Sequence, residues 1–285
     1  MNYIVQAVSA AWVTRSITAA VCALALSVAL PACGGGRPDR VTWSMIFHAD
    51  AEGNRDVMHR EVVRLSTGCS GTLIGPRHVL TAAHCVAHSA LIPTVSVDPR
   101  GETADTRFTV ARCHIHPLAY GEPTACADGP SPGELDRGHD LALLELHDAV
   151  PPRLGHATPV LLGANDAPEN WVDRPVQLVG WNRWPARYGE AHRYQGWNQV
   201  SNLDDGLLTT RPSGRVAQLM GYTTRSGNSG GPALARLGGR VWVVGVLSGG
   251  SGVDADEPRF SVYASTFHPD NAAWLRRLVE LNEVH

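Results

Sequence analysis

The chain has 285 residues, 44% of them apolar and 18% charged, with a formal charge of -3; that suffices for one large domain or two small ones. All 24 basic residues are arginine and none is lysine, which excludes Schiff-base lysine chemistry and the lysine-bearing phosphate loop. The arginines are scattered singly, without the basic stripe that a nucleic-acid surface needs, so no nucleic-acid partner is expected.

Residues Ile17 to Leu30 form an apolar run preceded by Arg15. The run is shorter than the roughly 20 residues a bilayer span requires, but it suits the core of a signal peptide. It ends in Leu30-Pro31-Ala32-Cys33, followed by three glycines. This resembles a bacterial lipobox, in which Cys33 is lipidated and becomes the first mature residue. Ordinary cleavage near Ala32, leaving Cys33 as a bystander, is the plainer alternative. Residues 1–33 are therefore read as a signal peptide with a lipobox, and 34–57, mixed in charge and rich in Gly and Pro, as a tether. An exported chain is expected: a periplasmic or cell-surface lipoprotein, or a secreted one.

Past the leader, Cys69, Cys85, Cys113 and Cys126 remain. An even count in an oxidising compartment reads as two disulfides with three possible pairings. The sequential pairing closes two short loops, the first worth about 3 kcal/mol in the chain-entropy account. Zinc is the rival, but neither C-x-x-C nor H-E-x-x-H spacing occurs. No metal and no cofactor is expected.

From about residue 58 onward, short apolar runs alternate with turn residues. Examples are 61–65, 71–74, 140–146, 176–179 and 241–247. Many short strands of this kind predict an all-β barrel or sandwich, with Pro151-Pro152 placed to join two halves. The last segment changes period: Trp274, Leu275, Leu278 and Val279 fall at helical spacing, with Asp270 placed to cap the start.

Three segments carry potential chemistry: Thr81-Ala82-Ala83-His84-Cys85, Asp140-Leu141-Ala142-Leu143-Leu144 and Gly227-Asn228-Ser229-Gly230-Gly231-Pro232. A serine hydroxyl is a weak nucleophile and needs a base to take its proton. Imidazole suits that task near neutrality, and a buried carboxylate fixes its tautomer. Glycines around the serine permit a tight turn whose N–H groups, here those of Gly227 and Ser229, converge on a developing oxyanion.

These segments resemble the histidine, aspartate and serine boxes of the chymotrypsin/trypsin-like serine endopeptidases, in a bacterial branch. The resemblance covers roughly residues 60 to 281. It implies two perpendicular Greek-key six-stranded β-barrels with a C-terminal α-helix, a cleft triad of His84, Asp140 and Ser229, and a bridge from Cys85 back to Cys69. The limits expected are 58–148 for the first barrel, 149–170 for the connection, 171–268 for the second barrel and 269–285 for the helix. A monomer acting on protein or peptide substrate is implied, touching membrane only through an anchor at Cys33. The Gly-x-Ser-x-Gly run also fits an α/β-hydrolase elbow, but the order His, Asp, Ser does not. His114 and His116 read as surface histidines, and His139, on the opposite strand face from Asp140, receives no role.

The chain departs from the family's digestive members at Asn228, where they carry aspartate paired with a newly cut N-terminus. A neutral amide needs no buried counter-charge, so activity independent of zymogen cleavage is expected. Counting back from Ser229 puts Thr223 at the base of the primary pocket, with Thr224 next. A hydroxyl there disfavours cleavage after Arg or Lys. Ser248, Gly249 and Gly250 are expected to pair with the substrate backbone, the two glycines leaving the pocket mouth open. A catalytically silent binding or adhesion module on the same fold is the alternative, and an esterase a lesser one.

Overall fold

The computed structural model describes residues 59–87, 89–97, 106–121, 124–127, 133–163, 168–182, 192–211, 227–251 and 260–282. The leader, the tether, Cys33, Thr223 and Thr224 lie outside them.

The first half forms one antiparallel sheet of seven strands: β1 (Val62–Leu65), β2 (Ser70–Gly75), β3 (His78–Thr81), β4 (Val95–Ser96), β5 (Arg107–Phe108), β6 (Val110–Ile115) and β7 (Ala142–Leu146). Their order is β5-β4-β1-β2-β3-β7-β6. Strands β5 and β6 lie at opposite edges, yet only Thr109 separates them in the chain. With one residue spanning at most about 3.6 Å, the sheet must curl until its two edges meet. Thr109 also accepts at its carbonyl from His147 N, 3.0 Å away, just past β7.

The second half is a closed six-stranded barrel in the order β10-β13-β12-β11-β8-β9. Its strands are β8 (Pro175–Asn182), β9 (His192–Asp204), β10 (Leu207–Arg211), β11 (Pro232–Leu237), β12 (Arg240–Ser251) and β13 (Phe260–Ser265). The mostly-β architecture with a final helix is thus as expected; the expected strand number of six applies to this barrel, while the first half carries seven. Two tight hairpins serve the barrel. Asp205-Gly206 joins β9 to β10 and Gly238-Gly239 joins β11 to β12, all four residues at positive φ, as two-residue turns matched to strand twist require.

The connection after Pro151-Pro152 is not a free linker. Val160 bridges Val243 of β12, Leu161 N donates to Val243 O, and Val243 N donates to Pro159 O. A single apolar core runs from Leu73, Val79 and Leu143 of the first sheet to Trp181, Leu234 and Val246 of the barrel, and on to Trp274 and Leu275. Those last two lie on α2 (Pro269–Asn282). Asp270 does not cap this helix. Proline suits the first helical position because its missing N–H would be unpaired there anyway, and the helix begins at Pro269, with Asp270 its second residue. His268 is then the capping residue, its carbonyl accepting from Ala272 N at 2.8 Å.

Candidate active site

Strand β3 ends at Thr81, and after Ala82-Ala83 the chain makes one helical turn, α1 (His84–Ala87). Cys85, Val86 and Ala87 on that turn are buried, and the Cys69–Cys85 disulfide ties it to the start of β2. A second disulfide joins Cys113 to Cys126. His84 is left partly open, its side chain 24% exposed.

Asp140 is fully buried, and both its oxygens serve His84. Oδ2 lies 2.7 Å from Nδ1, and Oδ1 accepts from the His84 backbone N–H at 3.0 Å. A carboxylate can only accept, so Nδ1 carries the proton and Nε2 keeps a lone pair. The Tyr120 hydroxyl is pushed up to about 12 by burial, reinforced by the Asp140 charge.

A 3-10 turn, Arg137–His139, presents this carboxylate. Asp136 caps the turn by accepting from Gly138 N at 2.9 Å. The Gly138 carbonyl accepts from Asn271 Nδ2 of α2 at 2.8 Å, and the same amide donates to Ser265 O at 2.7 Å.

Ser229 stands on a turn wedged between the two halves. Its carbonyl accepts from Ser70 N of β2 at 2.7 Å, while Gly230 N donates to Leu247 O of β12 at 2.9 Å. Gly230 has φ +78°, and a Cβ there would lie 2.3 Å from both Ser70 O and Thr81 Oγ1. Only glycine permits that approach, which sets the serine turn against the end of β3 leading to His84. Among the described residues no hydrogen bond joins Ser229 Oγ to His84, whose Nε2 lies 3.7 Å from Cys85 Sγ.

Asn228 is buried, and its Nδ2 donates to Trp181 O at 2.9 Å. Beside it, Ser70 Oγ donates to Gly227 O at 2.9 Å and accepts from Trp181 N at 2.8 Å. That hydroxyl relay fixes Gly227 at φ +97° and with it one of the two expected oxyanion donors. Ser70 and Trp181 were not anticipated as partners; their separation of 111 residues leaves no local signal.

Ser248, Gly249 and Gly250 lie on β12, where the register with β13 shifts between Leu247 and Gly249. The expected open mouth is corrected. Arg137 Nη1 donates to Ser248 O at 3.0 Å, and a Cβ on Gly249 would lie 2.4 Å from that nitrogen. The guanidinium occupies the space that Gly249 releases.

Two further expectations change. His116 is only 2% exposed, not a surface residue, and stacks on His139 with ring centroids 5.1 Å apart. His139 belongs to the 3-10 turn, not to a strand, and is buried. The Trp171, Trp181 and Trp274 rings are core packing.

Fold and site together define a chymotrypsin-like serine protease scaffold. The Trypsin family profile matches residues 49–272, and the chain belongs to the trypsin family. It is 24% identical to a venom serine protease of Polistes dominula over 263 residues, covering 82% of this chain and 85% of that protein. It is 26% identical to the CLIP domain-containing serine protease B10 of Anopheles gambiae over 217 residues, 64% of this chain and 54% of that one. A 24-residue stretch is 83% identical to mouse Inactive serine protease 35, spanning 8% of this chain and 6% of that relative's length.

Proposed function

We propose that the chain is an exported serine endopeptidase that hydrolyses peptide bonds through an acyl-enzyme on Ser229. The observation that carries this reading is the doubly bonded His84–Asp140 pair beside the glycine-hinged Ser229 turn. Ser229 Oγ attacks the scissile carbonyl carbon as its proton passes to His84 Nε2. The imidazolium, oriented by Asp140, gives that proton to the departing amine, and water then releases the acid by the same route. Catalytic hydrogen bonds tighten when substrate arrives, which would draw Ser229 Oγ onto Nε2. The N–H groups of Gly227 and Ser229 stabilise the oxyanion.

Because Asn228 is satisfied by Trp181 O as a neutral donor, this reading needs no cleaved N-terminus to order the serine turn. Thr223 and Thr224, which counting back from Ser229 assigns to the pocket base, and the Arg137 cation at Ser248 O argue against a basic residue at the cleft. Paired disulfides and the leader pattern support export, with Cys33 as lipid anchor. That lipobox and Asn228 are the basis for a bacterial branch.

Labelling with a fluorophosphonate probe tests the reading. Wild type is expected to label at Ser229, and Ser229→Ala to lose the label together with roughly 10⁵-fold or more of peptidase activity. A folded wild type that never labels would instead support the binding-module reading. That reading draws on the Arg137 contact, which occupies a carbonyl a substrate backbone would use.

A further inference from the structure

Around His139 of the carboxylate turn, three donor groups converge without a shared partner. One ring nitrogen each of His139 and His268 and an Asp270 carboxylate oxygen all lie within 4.8 Å of one another. His139 Nε2 and Asp270 Oδ2 are 3.9 Å apart. The His139 side chain is nine-tenths buried, yet its Nε2 has no hydrogen-bond partner, and neither has the buried Nδ1 of His268. Leaving two such nitrogens unsatisfied is costly, and native structures rarely do so without reason.

The remaining side of His139 is arranged as a metal ligand's would be. Its Nδ1 lies 2.9 Å from Asp136 Oδ2; since a carboxylate only accepts, Nδ1–H donates and the Nε2 lone pair is aimed at His268 and Asp270. Metal-bound histidines are held by such a carboxylate, which fixes the tautomer and raises ligand basicity. Asp270 supplies the negative charge that offsets the positive N-terminal end of α2.

We propose that His139, His268 and Asp270 form a site for a divalent ion of the zinc class, with Asp136 positioning His139. Two imidazoles and one carboxylate favour zinc or its neighbours over calcium or magnesium, which prefer all-oxygen sets. Bonds of about 2.0–2.2 Å require the donors to draw together by about an ångström through side-chain rotation, leaving a fourth position for water. The bound ion would strap the 3-10 turn Arg137–His139, and so Asp140, to the start of α2. The site stands independently of whether the chain is a peptidase.

The test uses the full chain, purified without a histidine tag and stripped with chelator. Titration with Co²⁺ is expected to give the visible absorption of four-coordinate cobalt, saturating at one ion per chain and abolished by Zn²⁺. His268→Gln and Asp270→Asn are each expected to weaken binding at least tenfold, and His114→Gln to leave it unchanged. The Asp270 side chain is 62% exposed, so Asp270→Asn keeps the fold and carries the test should His268→Gln not fold. Zinc is also expected to raise the melting midpoint of wild type and not of Asp270→Asn. No cobalt spectrum, or affinity undiminished in Asp270→Asn, would overturn the proposal.

Discussion

At position 228 a carboxamide does what a carboxylate could not. Its Nδ2 donates to the Trp181 carbonyl while the residue is 1% exposed. An aspartate there would set a carboxylate oxygen against the Trp181 carbonyl at hydrogen-bond range and bury a charge. Asn228→Asp is expected to lose about 2–4 kcal/mol of unfolding free energy, read by urea denaturation, together with most peptidase activity. Stability equal to wild type would show that the Trp181 contact does not hold the turn. Asn228 was legible because it sits inside Gly227-Asn228-Ser229-Gly230. Its partner Trp181 O, 47 residues away, was not, nor was the Ser70 hydroxyl that reaches Gly227 O from the other half.

Among elements, the 3-10 turn before Asp140 depends on α2 as well as on its own Asp136. Asn271 is fully buried and its amide donates to both Gly138 O and Ser265 O. Asn271→Ala strands two carbonyls, so a loss of about 2–3 kcal/mol is expected, with a fall in kcat/KM as Asp140 loosens. A thermal melt and steady-state kinetics check this, and a variant as stable and active as wild type would contradict it. The elements differ sharply in how visible they were. Residues 140–146 and 241–247 declared themselves by apolar content, and α2 by the spacing of Trp274, Leu275, Leu278 and Val279. Strand β9 did not, because its thirteen residues are mostly polar and hold their form by pairing with β8 and β10. Strands β4 and β5, two residues each, are too short to show any period. His139 was misassigned because the apolar run after Asp140 suggested a strand beginning at 140, whereas β7 begins at Ala142.

For the whole molecule, the buried histidine cluster makes stability depend on pH. Burial, reinforced by neighbouring His139, pushes His116 down from 6.5 to about 4. Below pH 6.5 the unfolded chain takes up a proton that the folded one refuses. Its contribution is therefore complete above pH 6.5 and disappears as pH falls towards 4. It amounts to about 3 kcal/mol at most. In chelator, wild type is expected to lose more unfolding free energy between pH 7 and 4.5 than His116→Asn, which keeps an acceptor for Leu118 N. Equal losses would rule His116 out as the source. The overall fold was legible from three boxes in a fixed order. How the sheet edges meet through Thr109 was not, since it depends on the curl of the first sheet, nor was how Arg137 covers Gly249, which depends on the two halves meeting.

The bond from Asn271 to the Gly138 carbonyl spans 133 positions, and this gives it a place in time. A polypeptide leaves the ribosome amino end first, so the histidine, the aspartate and the serine have all emerged before the amide that seats the carboxylate exists. The nascent chain can complete that seat only once Asn271 has followed the other three out.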